Sequence, residues 1–280
     1  MQTSIKTILR GVGQVMLQNN ALTGLLFLVG IFYNSWLMGL GALGGTIIST
    51  LSAIFLKYSK EDIKNGLYGS NGTLVGIAVL FFFGINIATA ITIIIGVALS
   101  TVIMHEMKKR IPAFTAPFVI ATWIVILGIK LLNLAPFLAS SSLQDSAINP
   151  LSGTTMGFGQ VMFQGNIVTG LLFLLAIVIS SRTAALYALY GSLLGGLFAI
   201  LLAFPITSIN IGLFGYNAVL CGIALGTFKW RAFIFATFAI LLSVLLNYGL
   251  GQIGVITLTA PFVLATWVAL LMKKYMKIIL

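Results

Sequence analysis

The chain is written twice. Residues 11–32 read GVGQVMLQNNALTGLLFLVGIF and residues 157–178 read GFGQVMFQGNIVTGLLFLLAIV, identical at 14 of 22 positions. Residues 66–78 (GLYGSNGTLVGIA) return at 212–224 (GLFGYNAVLCGIA) with 8 of 13 matching, and 115–123 (TAPFVIATW) return at 259–267 (TAPFVLATW) with 8 of 9. The offset is 146 residues for the first two blocks and 144 for the third, so the duplication spans the whole architecture. We divide the chain into a first repeat, 1–146, and a second, 147–280, forming one integral membrane unit. In membrane proteins such a repeat places a substrate path at the interface of its halves.

The membrane assignment follows from composition. Hydrophobic residues are 60% of the 280 and charged residues 7%, with a mean hydropathy of +1.14. A soluble domain carries about a quarter charged residues. The single Cys221 excludes an intrachain disulfide framework and a thiolate metal site. No cleavable signal peptide is expected, because Lys6 and Arg10 lead into Gly-rich, Gln-containing sequence.

A crossing needs about 17–25 apolar residues. The first half offers 20–33, 36–56, 67–83, 85–104 and 112–134, and the second 166–181, 184–204, 211–228, 232–248 and 258–272. All ten are expected to be helices, because these runs lack the alternation of barrel strands and lipid leaves no other way to satisfy backbone polar groups. With the N-terminus inside, 14 of the 15 Lys and Arg residues lie on cytoplasmic segments; Lys130 is the exception. Ten crossings put both basic termini in the cytoplasm, as for a multi-pass protein of the plasma (inner) membrane. Five per half is odd, so the second repeat must be inverted relative to the first. The net charge of +11 is scattered over six segments, which fits this topology and anionic lipid, not nucleic acid.

The polar inventory narrows the chemistry. Glu61, Asp62, Glu106 and Asp145 all fall outside the expected spans, as solvated interfacial charges. Ion-coupled carriers commonly use a carboxylate or His within the membrane, and a hydrolase needs paired acids or a nucleophile with its base. With one interfacial His105 and no acid in a span, neither has its parts, and no enzyme, metal or cofactor is expected. What repeats is uncharged. Gln14 and Gln160 share a Gly-x-Gly-Gln-Val-Met setting. The run 20–33 is short for a crossing, and extending it backwards would place Gln14 and Gln18 in hydrocarbon. A re-entrant half-helix carrying Gln14 into a cavity resolves both problems; the plainer alternative is an interfacial glutamine ahead of a span. Thr115 and Thr259 each precede Ala-Pro-Phe, where Pro117 and Pro261 are expected to kink a helix and free a carbonyl beside the threonine hydroxyl. The alternative there is a threonine bonding back to its own helix. Asn71 and Asn217, in Gly-rich turns, read as structural helix breaks.

These blocks resemble the urea transporter family, the bacterial and vertebrate urea channels. That family's L-P-x-x-T-x-P-F signature reads Ile111-Pro112-Ala113-Phe114-Thr115-Ala116-Pro117-Phe118 here, and Val255-Ile256-Thr257-Leu258-Thr259-Ala260-Pro261-Phe262 in the second copy, which lacks the first proline. The resemblance implies a passive, urea-selective pore in each subunit, usually of a homotrimer. It implies Gln14 and Gln160 at the mouths, Thr115 and Thr259 at a narrow middle site, and slot walls of Leu17, Ser70 and Leu74 on one side and Phe163, Tyr216 and Leu220 on the other. The family tends to have aromatics where Leu17 and Ser70 stand, so one wall is expected to be looser and to admit slightly larger amides. The rival expectation is an ion-coupled secondary transporter of another small polar solute, using the same residues as a midplane site.

Overall fold

The computed structural model describes residues 4–138 and 147–279, with side chains to Tyr275, and shows no β-strand among them. Asp145 and the side chain of Lys277 lie outside the described residues, as does position 146, where the expected repeat boundary falls. The chain forms two compact units, Met1–Ser141 and Ser142–Leu280. The first holds α1 (Ile5–Gly13), a 3-10 turn (Gln14–Met16), α2 (Ala21–Asn34), α3 (Trp36–Phe55), α4 (Lys60–Lys64), α5 (Gly69–Phe83), α6 (Ile87–Met107) and α7 (Ala116–Leu131). The second holds α8 (Pro150–Gln160), α9 (Ile167–Ser180), α10 (Arg182–Leu201), α11 (Ile206–Asn210), α12 (Tyr216–Leu225), α13 (Trp230–Gln252) and α14 (Ala260–Ile279).

Short polar residues start these helices. Asn20, Ser35 and Asn86 each accept from a backbone N–H of the first turn of α2, α3 and α6, and Asn149, Asn166 and Ser181 do the same for α8, α9 and α10. Such caps satisfy donors that the helix leaves orphaned, which matters most where water is scarce. Four helices among the described residues are long and apolar enough to cross a membrane: α3, α6, α10 and α13. A fifth candidate is the pair formed by α1 with its 3-10 turn and α2, bent by 75° at the break. Their lipid-compatible faces are visible in exposed Leu40, Ile47, Ile94 and Ile95 of the first unit and Leu186, Leu193, Leu197 and Leu245 of the second.

The other apolar helices are shorter than the sequence suggests. The expected span 67–83 is helical only from Gly69, 112–134 only over Ala116–Leu131, and 211–228 only over Tyr216–Leu225. The reason is local. Gly66 (φ 74) and Gly212 (φ 79) interrupt the helical path just before α5 and α12. At Thr115 the backbone (φ −98, ψ 10) leaves the helix, and Pro117 falls in the first turn of α7. A first-turn proline lacks an N–H that would have been orphaned anyway. The expected proline kink in mid-helix is therefore replaced by a proline-initiated helix.

Inside each unit the closest packing is backbone on backbone. In the first, a Cβ on Gly45 would collide with the Gly72 carbonyl, and one on Gly41 or Gly76 with the facing backbone of α5 or α3. In the second, Gly191 and Gly195 of α10 meet Ala218 and Phe214 in the same way. Small residues of this kind let membrane helices approach closely. Each unit also has an aromatic stack near a helix end: Tyr58 on His105 (centroids 3.6 Å apart) and Phe204 on Tyr248 (3.8 Å).

Candidate functional site

The site in the first unit begins with a turn. Leu17 ends the 3-10 turn in the left-handed region (φ 59), and Phe114 takes the same kind of conformation (φ 47) just before α7. Their counterparts do likewise, Phe163 at φ 61 and Leu258 at φ 47. Bulky residues seldom adopt this geometry, which persists where the surroundings over-determine it and is concentrated at functional sites. The duplication thus reaches the backbone dihedrals of Leu17 and Phe163, expected to flank the path, and of the residues just before Thr115 and Thr259.

Gly66 shapes the same place. Its positive φ and its close approach to the Arg10–Gly11 backbone leave no room for a side chain, and Gly212 stands in the same relation to Met156–Gly157. This approach carries the Asn65 carbonyl to Gln14, whose Nε2 donates to it at 3.1 Å. In the second unit the Gln160 Nε2 donates to the Ile211 carbonyl at 3.0 Å. A carbonyl only accepts, so each amide nitrogen is fixed by its partner, and each side-chain oxygen is directed to the opposite side. Both glutamines are half-buried. The arrangement offers one oriented, uncharged acceptor per unit.

Around Gln14 lies an open cleft of about 530 Å³, lined by Leu17, Ser70 and Thr115 together with Phe114 and the basic Lys108 and Arg110. Four of the expected pore residues are therefore brought together within one unit. Leu74, also expected on this wall, is fully buried in α5 and is not among the residues lining the cleft. Thr115 and Thr259 are almost completely buried. Each contributes its carbonyl to the helix that follows, accepting from the Val119 and Val263 N–H groups. The basic rim is partly neutralised by carboxylates, since Lys108 pairs with Asp62 and Lys109 with Glu106.

In the second unit Tyr216 is buried, and its hydroxyl donates to the Leu258 carbonyl at 2.6 Å, close to the Thr257 hydroxyl. Ser70, its counterpart, donates instead to the Leu67 carbonyl at 3.1 Å. Phe163 is half-buried and Leu220 fully buried.

Sequence reasoning understated two residues. Asn71 of α5 accepts the Phe118 N–H at 2.9 Å and its amide reaches the Phe114 carbonyl at 3.5 Å; Asn217 of α12 accepts the Phe262 N–H at 3.1 Å. Each is a helix cap delivered from another helix, tying the Pro-Phe turn beside the threonine to the core. The signal was present as an asparagine in the same place in both copies, but its partner lies 47 residues away for Asn71 and 45 for Asn217.

With this geometry in hand, the comparisons with known proteins are decisive. A urea transporter family profile matches residues 5–274. The chain belongs to the urea transporter family. It is 30% identical over 296 residues to urea transporter 1 of Ovis aries and, separately, of Capra hircus, in each case covering 95% of this chain and 76% of the relative. Urea transporter 1 of Mus musculus is 34% identical over 241 residues, covering 78% of this chain and 62% of the relative. The family consists of membrane transporters, not enzymes.

Proposed function

We propose that this family member conducts urea passively through a narrow, uncharged slot. Urea is neutral and flat and donates through both of its amino groups. Removing its water in an apolar path costs several kcal/mol, on the order of 2–7 per unpaired polar group, unless acceptors replace it. The reading is carried by the matched anchoring of Gln14 and Gln160, which directs one uncharged acceptor in each unit away from the backbone that holds it. In this reading the two glutamines serve the mouths and Thr115 and Thr259 a shared constriction in the middle. Leu17, Ser70 and Leu74 form one wall, and Phe163, Tyr216 and Leu220 the other.

The path is assigned to the interface of two inverted five-crossing repeats, 1–146 and 147–280, assembled as a homotrimer in the plasma or inner membrane with both termini cytoplasmic. The bend of 75° between the first helix pair supports a re-entrant entry in the first repeat. The shortness of α12 supports a crossing completed by α11 and the turns between them, since ten residues of helix span only about 15 Å of a core about 30 Å thick. Supporting the passive mode, the residues lining the Gln14 cleft include no carboxylate or histidine of the kind that commonly couples a carrier to an ion.

Stopped-flow light scattering of reconstituted vesicles tests this. Urea should equilibrate at the same rate with and without imposed proton or sodium gradients. Accumulation of urea driven by either gradient would replace the channel with a carrier.

A further inference from the structure

The wall of the first unit lacks rings at positions 17 and 70, yet the cleft there is not without an aromatic. Phe114 lines it, half-buried, beside Leu17, Ser70 and Thr115. Its counterpart Leu258 is 4% exposed and sits beneath the hydroxyl of Tyr216. The aromatic content of the two turns is therefore exchanged. Where the second unit has Phe163 and Tyr216 with an aliphatic Leu258, the first has Leu17 and Ser70 with Phe114.

The backbone makes this exchange more than a coincidence of composition. At φ 47 a residue with a Cβ is disfavoured by about 1–2 kcal/mol, and glycine would relieve the strain. Leu258 takes the same φ, so the turn demands this backbone in both copies and what distinguishes Phe114 is its ring. The space is also present, because the Ser70 hydroxyl turns back to its own helix turn at Leu67 and fills little of the cleft. The backbone that carries the ring is tied down as well, since the Asn71 amide reaches the Phe114 carbonyl and the Asn71 oxygen holds the turn that follows.

We propose that Phe114 is the aromatic wall of the mouth in the first unit, standing in for the rings absent at positions 17 and 70, and that it limits the size of the substituent a urea derivative can carry through. This rests on the reading of the Gln14 cleft as one mouth of the urea path. A planar solute between Phe114 and the aliphatic Leu17 keeps dispersion contact on one face, while an N-methyl group meets the edge of the ring.

The test compares urea and N-methylurea permeability in reconstituted vesicles for wild type, Phe114→Leu, Gln14→Leu, and Phe114→Leu combined with Leu17→Phe and Ser70→Phe. The ratio of urea to N-methylurea should fall about tenfold in Phe114→Leu, the lower end of the scale on which one methyl group is discriminated by a tight pocket. It should recover in the triple variant, where rings return at the other two positions. An unchanged ratio in Phe114→Leu, with urea flux lowered in Gln14→Leu, overturns the role of Phe114 and leaves the cleft as the path. No effect in either single variant removes the cleft from the path, and the proposal falls with it. If Phe114→Leu does not assemble, Phe114→Met provides the same comparison with a side chain of similar reach, and the ratio should fall in the same direction.

Discussion

Thr122 of α7 and Val75 of α5 stand in the first unit at the repeat positions of Thr266 and Cys221 in the second. The Thr266 hydroxyl lies 3.7 Å from the Cys221 sulfur, whereas the buried Thr122 hydroxyl has no hydrogen-bond partner among the described residues. Asn71 bonds through both ends of its amide, while the Asn217 Nδ2 has no hydrogen-bond partner among the described residues. The Tyr216 hydroxyl closes onto a carbonyl across the turn, and Ser70 does not reach that far. The two copies have kept their backbone and its unusual dihedrals while their side chains have drifted. A duplicated fold requires that each turn be held, and it leaves open which side chain holds it.

The largest expected effect separates the two caps. Asn71→Leu takes the acceptor from a buried N–H and the donor from the Phe114 carbonyl, so it should destabilise the protein by about 2–3 kcal/mol. Asn217→Leu removes one bond and also one orphaned donor, for a net loss of about 1 kcal/mol. Thermal unfolding in detergent, followed by loss of the monodisperse peak, should rank Asn71→Leu well below Asn217→Leu; equal losses would erase the distinction between the caps.

The threonines come next. Thr115→Val and Thr259→Val retain volume and remove an acceptor, which costs a passing N–H about 1–3 kcal/mol, or roughly 5- to 150-fold in urea flux. If the copies act alike the two reductions will be similar. Flux unchanged in both would return the threonines to a role in helix starts alone.

A smaller effect is expected from the aromatic exchange. Adding rings through Leu17→Phe and Ser70→Phe in the wild type should raise the ratio of urea to N-methylurea by only about twofold, because Phe114 already supplies one ring and overpacking limits the gain. A much larger rise would mean that Phe114 contributes nothing to the wall.

The smallest effect concerns the orphaned hydroxyl. Thr122→Val should stabilise the protein by about 1 kcal/mol, since an unpaired buried hydroxyl is replaced by a methyl group. Thr266→Val loses a weak contact to sulfur and should change stability by about 0.5 kcal/mol or less in the unfavourable direction. Opposite signs in the same melting assay would bear out the comparison, and a destabilised Thr122→Val would overturn it.

Much of this organisation was legible in the sequence. The copies align by eye, the hydrophobic runs announce a membrane protein, and Gln14, Leu17, Ser70 and Thr115 are indeed neighbours in one cleft. What escaped reading was set by long-range geometry. Leu17, Phe114, Phe163 and Leu258 carry no glycine or asparagine signature for positive φ, so only tertiary packing reveals it. Pro117 lies inside the apolar run 112–134, where a proline without an N–H implies a kink, whereas the Asn71 cap lets a helix begin there. The lengths of α5, α7 and α12 were overestimated for the same reason: hydropathy reports how apolar a segment is, not where its backbone turns.

The glycine contacts between α3 and α5 have a mechanical consequence. At Gly41, Gly45, Gly72 and Gly76 the two helices meet backbone to backbone, with only short or terminal side-chain atoms such as those of Ser49 and Leu80 reaching the contact. Sliding one helix past the other by a turn would bring Gly45 or Gly41 against bulkier neighbours of the opposite helix. Such a joint behaves like a weld, not a hinge, and it should leave this pair among the slowest-exchanging amides in the protein. If the proposed path runs beside α5, its substrate finds a passage already cut to shape, with that wall set at the moment of folding.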